Sequence, residues 1–150
     1  MYRLLKKENL QINDNPKILE IGCGYGYIVS QFAKKFNGTP YGIELNKYSH
    51  EIAKNNNINM VGYTIDDLTK TNNFDVVILC QVLEHLINPN QFFNKLSKIV
   101  KPGTIFLLEV PDIEIGIDVF FHHPFCYSVR GLFLLLNKHK IEILTYNSSK

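Results

Sequence analysis

The chain has 150 residues, 45% hydrophobic and 20% charged, with a formal net charge of +2. That length fits one domain around a single core, and no apolar run reaches membrane-span length. The cations are scattered, which excludes a nucleic-acid stripe, and Met1–Glu8 lacks the apolar core of a signal peptide, so the expected compartment is the cytoplasm.

Taken in chain order, residues 2–10 read as a short helix that Asn13-Asp14-Asn15-Pro16 breaks. Lys17–Ile21 is an apolar strand running into glycines. Residues 26–36 carry apolar side chains at helical spacing: Ile28, Val29, Phe32, Ala33 and Phe36. After the turn Gly38-Thr39-Pro40 comes a strand over 41–44. Asn46 can cap a helix over about 47–55. Residues 60–65 form a third strand in this reading. Phe74–Cys80 is a continuous apolar run, as expected of a parallel strand buried on both faces. Asn88-Pro89 supplies a cap and a first-turn proline for a helix reaching about Val100. Thr104–Val110 is a fifth strand, Ser128 can cap a helix through Leu136, and 140–146 read as a last strand.

Strands alternating with helices at this spacing imply parallel βαβ units and a doubly wound sheet with helices on both faces. Ligands of such sheets sit beyond the carboxyl ends of the strands. That places Gly22–Gly26, Glu44, Asp66–Asp67, Cys80–His85 and Glu109–Asp112 at the candidate site. The three cysteines, Cys23, Cys80 and Cys126, have no CxxC or Cys/His spacing, so they read as reduced, mostly buried thiols. No metal is expected, because the His and Asp positions lack ligand spacing.

Glu20-Ile21-Gly22-Cys23-Gly24-Tyr25-Gly26 carries the most chemistry. Its glycines follow a strand and open a helix, the context in which backbone can approach a ligand closely. A dinucleotide loop usually reads GxGxxG, with pyrophosphate on the helix N-terminus. Here the spacing is GxGxG and Glu20 precedes it. A carboxylate there suits a ligand bearing an ammonium and a sulfonium, whose own carboxylate can use the loop amides. Glu44, ending the second strand, can accept hydrogen bonds from both ribose hydroxyls.

ILEIGCGYG, the acid of GIELN, FDVVILCQVLEHL and IVKPGTIFLLEVPD together resemble the successive motifs of class I S-adenosylmethionine-dependent methyltransferases. VLEHL resembles the subgroup acting on small molecules such as quinone precursors and sugars. The resemblance implies an α/β fold: a three-layer αβα Rossmann-like, doubly wound, mostly parallel sheet. It implies one domain over 1–150, with the cofactor core at about 16–113 and a substrate-side loop, helix and final strand at 114–150. Gly22, Gly24 and Gly26 would wrap the methionine half of S-adenosylmethionine, with Glu20 behind the loop. Glu44 would hold the ribose, Leu45 would lie against adenine, and Gln81 would stand beside the methionine half or the methyl group. Asp66 would approach the adenine amino group, although Ile65-Asp66-Asp67 fits the motif in more than one register. Glu84 and His85 mark the motif without a necessary substrate contact.

The reaction so implied is methyl transfer to a small-molecule acceptor with S-adenosylhomocysteine as product. His122 and His123 are the candidate general bases, with His85 and Asp112 as further polar candidates. Phe120, Phe121, Phe125 and Tyr127 could wall an acceptor pocket. The family's usual glycine before strand six is replaced within Leu136–Lys140, and the family's closing hairpin is not apparent. The expectation is a sheet possibly truncated at its last strand, with the open edge covered by a second copy or a partner subunit. Two other readings compete: a non-catalytic methyltransferase-like scaffold, and a nicotinamide-dependent oxidoreductase.

Overall fold

A computed structural model describes residues 12–69, 73–111, 113 and 123–147. Five strands form one parallel sheet: β1 (Lys17–Ile21), β2 (Thr39–Ile43), β3 (Asn59–Gly62), β4 (Val76–Cys80) and β5 (Ile105–Glu109). Among the described residues four helices accompany them: α1 (Tyr27–Phe36), α2 (Lys47–Asn55), α3 (Pro89–Leu96) and, after the last strand, α4 (Val129–Lys138). The strand order is β3-β2-β1-β4-β5, so the winding reverses between β1 and β4. The expected helix at 2–10 lies outside the described residues. No described helix is long and apolar enough to cross a membrane.

Alternation along the strands builds two cores. From β1 and β4, Leu19, Ile21, Val77 and Leu79 face one side, where Phe92, Phe93 and Leu96 of α3 and Leu136 of α4 cover them. Ile18, Val76 and Ile78 face the other, beneath Val29, Phe32 and Ala33 of α1 and Ala53 of α2. Both central strands are thus buried on two faces, the condition that gives an unbroken apolar run. The result is the expected three-layer αβα arrangement.

The caps fall where the sequence puts them. Asn46 accepts from the amides of Tyr48 and Ser49, Asn88 from Gln91, and Ser128 from Gly131. Two boundaries differ most. The third strand stops at Gly62, because Thr64 and Asp67 form a capping box that winds Ile65–Asp67 into a 3-10 turn. Helix α3 ends at Leu96 rather than near Val100: the Ser97 hydroxyl donates back to the Asn94 carbonyl, and the amides of Lys98 and Ile99 close tighter turns.

The expected strand over 140–146 is not a strand. Helix α4 closes when the Ile141 amide donates to the Leu136 carbonyl, with Lys140 at a left-handed φ of 58°. The chain then runs without a ladder, while Ile141 and Ile143 pack on the core. Their apolar alternation reflects that packing.

At the amino end of the sheet, Asp75 ties neighbouring elements together. Its carboxylate accepts from the Lys17 amide at 2.9 Å, from Asn13 at 3.0 Å and from Lys101 at 2.7 Å. Burial alone would raise its pKa, but Lys101, the Lys17 amide and Asn13 together hold it below the usual carboxylate value.

Candidate functional site

At the carboxyl end, β1 hands the chain to the glycine loop. Gly22, Gly24 and Gly26 all take left-handed φ, at 72°, 52° and 78°. A Cβ on Gly26 would strike the Ile58 side chain, so this glycine lets the loop pack down. Over Gly24 the space is open: apart from its chain neighbours, no described atom lies within 4 Å of where a Cβ would stand. That bare backbone is what a closely approaching ligand needs.

The loop is held by its own protein. The amides of Gly22 and Cys23 both donate to the Ile43 carbonyl, and that of Gly26 to the Cys23 carbonyl. The Gly24 amide donates to Glu44 Oε2 at 2.8 Å, while Glu44 Oε1 accepts from the Asn46 amide at 2.7 Å. These bonds occupy four loop amides that the sequence reading had offered to a ligand carboxylate. Glu44 therefore has two jobs: it ties the β1 loop to the turn after β2, and it sets an acid at the lip of the crevice. Leu45 beside it is 73% exposed, an apolar surface available to a flat ring.

Glu20 lies behind the loop, 2% exposed, and accepts from the Val29 amide at 3.0 Å. Burial pushes its pKa up to about 7; the Val29 bond opposes this and the Glu44 charge adds to it. The Cys23 thiol is pushed up to about 12, by burial first and then by Glu20 and Glu44. All three cysteines are free thiols; Cys126, contrary to the expectation of mostly buried cysteines, is exposed.

The two acids after β3 separate by geometry. The Asp67 carboxylate accepts from the amides of Tyr63 and Thr64, so it shapes the turn. Asp66 is exposed and pairs with Lys95 at 2.6 Å. Thr64 and Asp67 have the spacing of a capping box, a signal that was available in the sequence. His50 was not anticipated. It is 8% exposed, stacks on Tyr63 at 4.3 Å, and its Nδ1 lies 3.4 Å from the Glu44 carbonyl. Its position on the inner face of α2 is the only sequence cue.

Strand β4 ends at the same edge of the sheet as β1. Gln81 has a φ of 55°, unusual for a residue other than glycine, asparagine or aspartate, and its amide donates to the Glu109 carbonyl. A 3-10 turn, Leu83–His85, follows. Glu84 is 1% exposed, and neither carboxylate oxygen has a hydrogen-bond partner among the described residues. His85 is exposed and meets the His123 ring edge-on at 4.6 Å. Residues 123–127 are tethered to that turn: the Phe125 amide donates to the Glu84 carbonyl, and the buried Tyr127 hydroxyl to the Leu83 carbonyl. Burial, with the Glu84 charge adding to it, pushes the Tyr127 hydroxyl up to about 12. His122, Asp112, Phe120 and Phe121 lie outside the described residues.

The fold and site together define a doubly wound α/β domain with a ligand crevice where the winding reverses. The chain belongs to the methyltransferase-domain family, whose family model matches residues 2–138. A ubiquinone biosynthesis O-methyltransferase of Rickettsia typhi is 36% identical over 114 residues, covering 70% of this chain and 46% of the relative. The chain spans less than half the length of that protein and of a homologous Dictyostelium discoideum enzyme. Among solved structures, the Haloferax volcanii complex of the Trm112 methyltransferase activator with a methyltransferase superposes with a TM-score of 0.74 at 14% identity, covering 92% of this chain and 67% of that one. Coclaurine N-methyltransferase bound to N-methylheliamine and SAH gives 0.56 at 18% identity, covering 71% and 33%.

Proposed function

We propose that this chain carries the S-adenosylmethionine site of a methyltransferase acting on a small-molecule acceptor. The observation that carries the reading is the open space over Gly24 with the Glu44 carboxylate at its lip. On this reading Gly22, Gly24 and Gly26 border the methionine half, backed by Glu20. Glu44 accepts from the ribose hydroxyls, and Leu45 covers adenine. Asp66, the acid not used to shape the turn after β3, is the better of the two for the adenine amino group. Gln81 stands beside the methionine half. S-adenosylmethionine, when bound, supplies an activated methyl group open to in-line displacement. The protein's own work is to orient both reactants and exclude water. Residues about 16–113 are the cofactor core and 114–150 the acceptor side, where His123 or His122 would take the acceptor's proton.

The likeness to a ubiquinone biosynthesis O-methyltransferase and to coclaurine N-methyltransferase supports small molecules as the acceptor class. The outer edge of β5 is where a second copy or a partner subunit would sit, and light scattering on purified protein tests the second copy. The decisive experiment is calorimetric titration with S-adenosylhomocysteine and, separately, NADH. Binding of S-adenosylhomocysteine is expected, with Glu44→Ala weakening it roughly 10–100-fold, the worth of hydrogen bonds to a charged group. Binding of NADH alone overturns the reading in favour of an oxidoreductase. Binding without methylation of any offered phenol, sugar or amine favours the scaffold.

A further inference from the structure

From the cluster at the end of β4 we infer that Glu84, His85 and His123 form a binding site for a divalent transition-metal ion of the zinc type. One ligand atom from each of the three lies within 4.8 Å of the others. Two features point to a cation. Glu84 is 1% exposed, yet both of its carboxylate oxygens lack a hydrogen-bond partner among the described residues. A buried carboxylate is costly unless paired with a cation or a donor, and a metal ion bound through one oxygen neutralises the charge shared by both. The second feature is how the histidines meet. His123 reaches His85 because Phe125 and Tyr127 are bonded to the backbone of the Leu83–His85 turn. The tethers lie beside the cluster, so the ligands are gathered on bonded backbone from two distant parts of the chain.

Two imidazoles and one carboxylate are borderline-soft donors that favour zinc-type ions over magnesium or calcium. Three protein ligands leave a fourth position for water or another oxygen. Tetrahedral ligands about 2.0–2.2 Å from zinc stand roughly 3.4 Å apart, so the cluster must draw in by about an ångström. Exposed His85 and half-buried His123 can do so by side-chain rotation. The metal site stands whether or not the methyl-transfer reading does. Bound to the ion, His123 could no longer take a proton, and an oxygen in the fourth position would be acidified by the metal instead.

The test uses the untagged full chain stripped with EDTA and titrated with Zn²⁺, Co²⁺ and Mg²⁺. One equivalent of Zn²⁺ is expected to bind and to raise the melting temperature. Co²⁺ should give the strong visible bands of a four-coordinate site, and Mg²⁺ should not compete at equal concentration. His85→Ala and His123→Ala are each expected to weaken Zn²⁺ binding about tenfold or more and to bleach the cobalt bands. Cys126→Ser should leave both unchanged. Both histidines lie outside the buried core, so these variants keep the fold, and circular dichroism verifies it; Glu84→Gln is read alongside the same control. Absence of stoichiometric Zn²⁺ binding to folded protein, or binding that survives both histidine substitutions, overturns the inference. S-adenosylhomocysteine titration of the same samples reports separately on the cofactor crevice.

Discussion

The two ends of the sheet use their carboxylates in opposite ways. At the amino end, Asp75 is surrounded by donors from three elements and stays easily ionised. At the carboxyl end, burial raises the Glu20 pKa to about 7, opposed by a single amide donor and helped by an acidic neighbour; Glu84 has no hydrogen-bond partner among the described residues. One end is arranged for stability. The other holds polar groups in an unfinished state, which is expected where a ligand supplies the missing partner.

The contrast can be broken first at the backbone. Gly26→Ala places a Cβ against Ile58 at a left-handed φ. A loss of about 2–4 kcal/mol is expected in chemical denaturation, from strain plus overpacking. No substitution of an exposed residue at the amino end should approach it.

The two acids should then titrate stability with opposite sign. Glu20 has a raised folded pKa, so its contribution is fully present below the unfolded value of 4.5 and is lost as pH climbs through about 7. The drop is on the order of 3 kcal/mol at 1.36 kcal/mol per unit. Glu20→Gln keeps an acceptor for the Val29 amide and should flatten that limb. Asp75 has a lowered folded pKa, so its contribution is present above the unfolded value of 3.8 and is lost as pH falls through the folded one. Asp75→Ala should cost about 2 kcal/mol at neutral pH and remove that acid-side loss. If denaturation midpoints against pH show both variants altering the same limb, the contrast between the ends is wrong.

The smallest effect lies away from either end. Lys140 takes a left-handed φ of 58° where α4 closes. Lys140→Gly relieves that strain and should raise stability by roughly 0.5–1 kcal/mol, visible as a higher denaturant midpoint with an unchanged slope.

Local sequence was enough wherever one element decides its own conformation. The apolar runs of β1 and β4, the caps Asn46, Asn88 and Ser128, and the three glycines were legible, because propensity, capping and left-handed φ depend on a few neighbouring residues. The pattern was misleading at 140–146, because alternation signals burial of one face and a strand also needs a neighbour to pair with. Asp66 and Asp67 were indistinguishable until Thr64 and the amide geometry gave Asp67 to the turn.

By itself, then, the sequence determined the order of the elements from β1 to α4, the doubly wound sheet and the position of the glycine crevice. Tertiary structure decided which carboxylates have partners, how far each pKa moves, and that His123 lies against His85. Those properties arise from burial and from contacts between residues far apart in the chain, which no local pattern encodes.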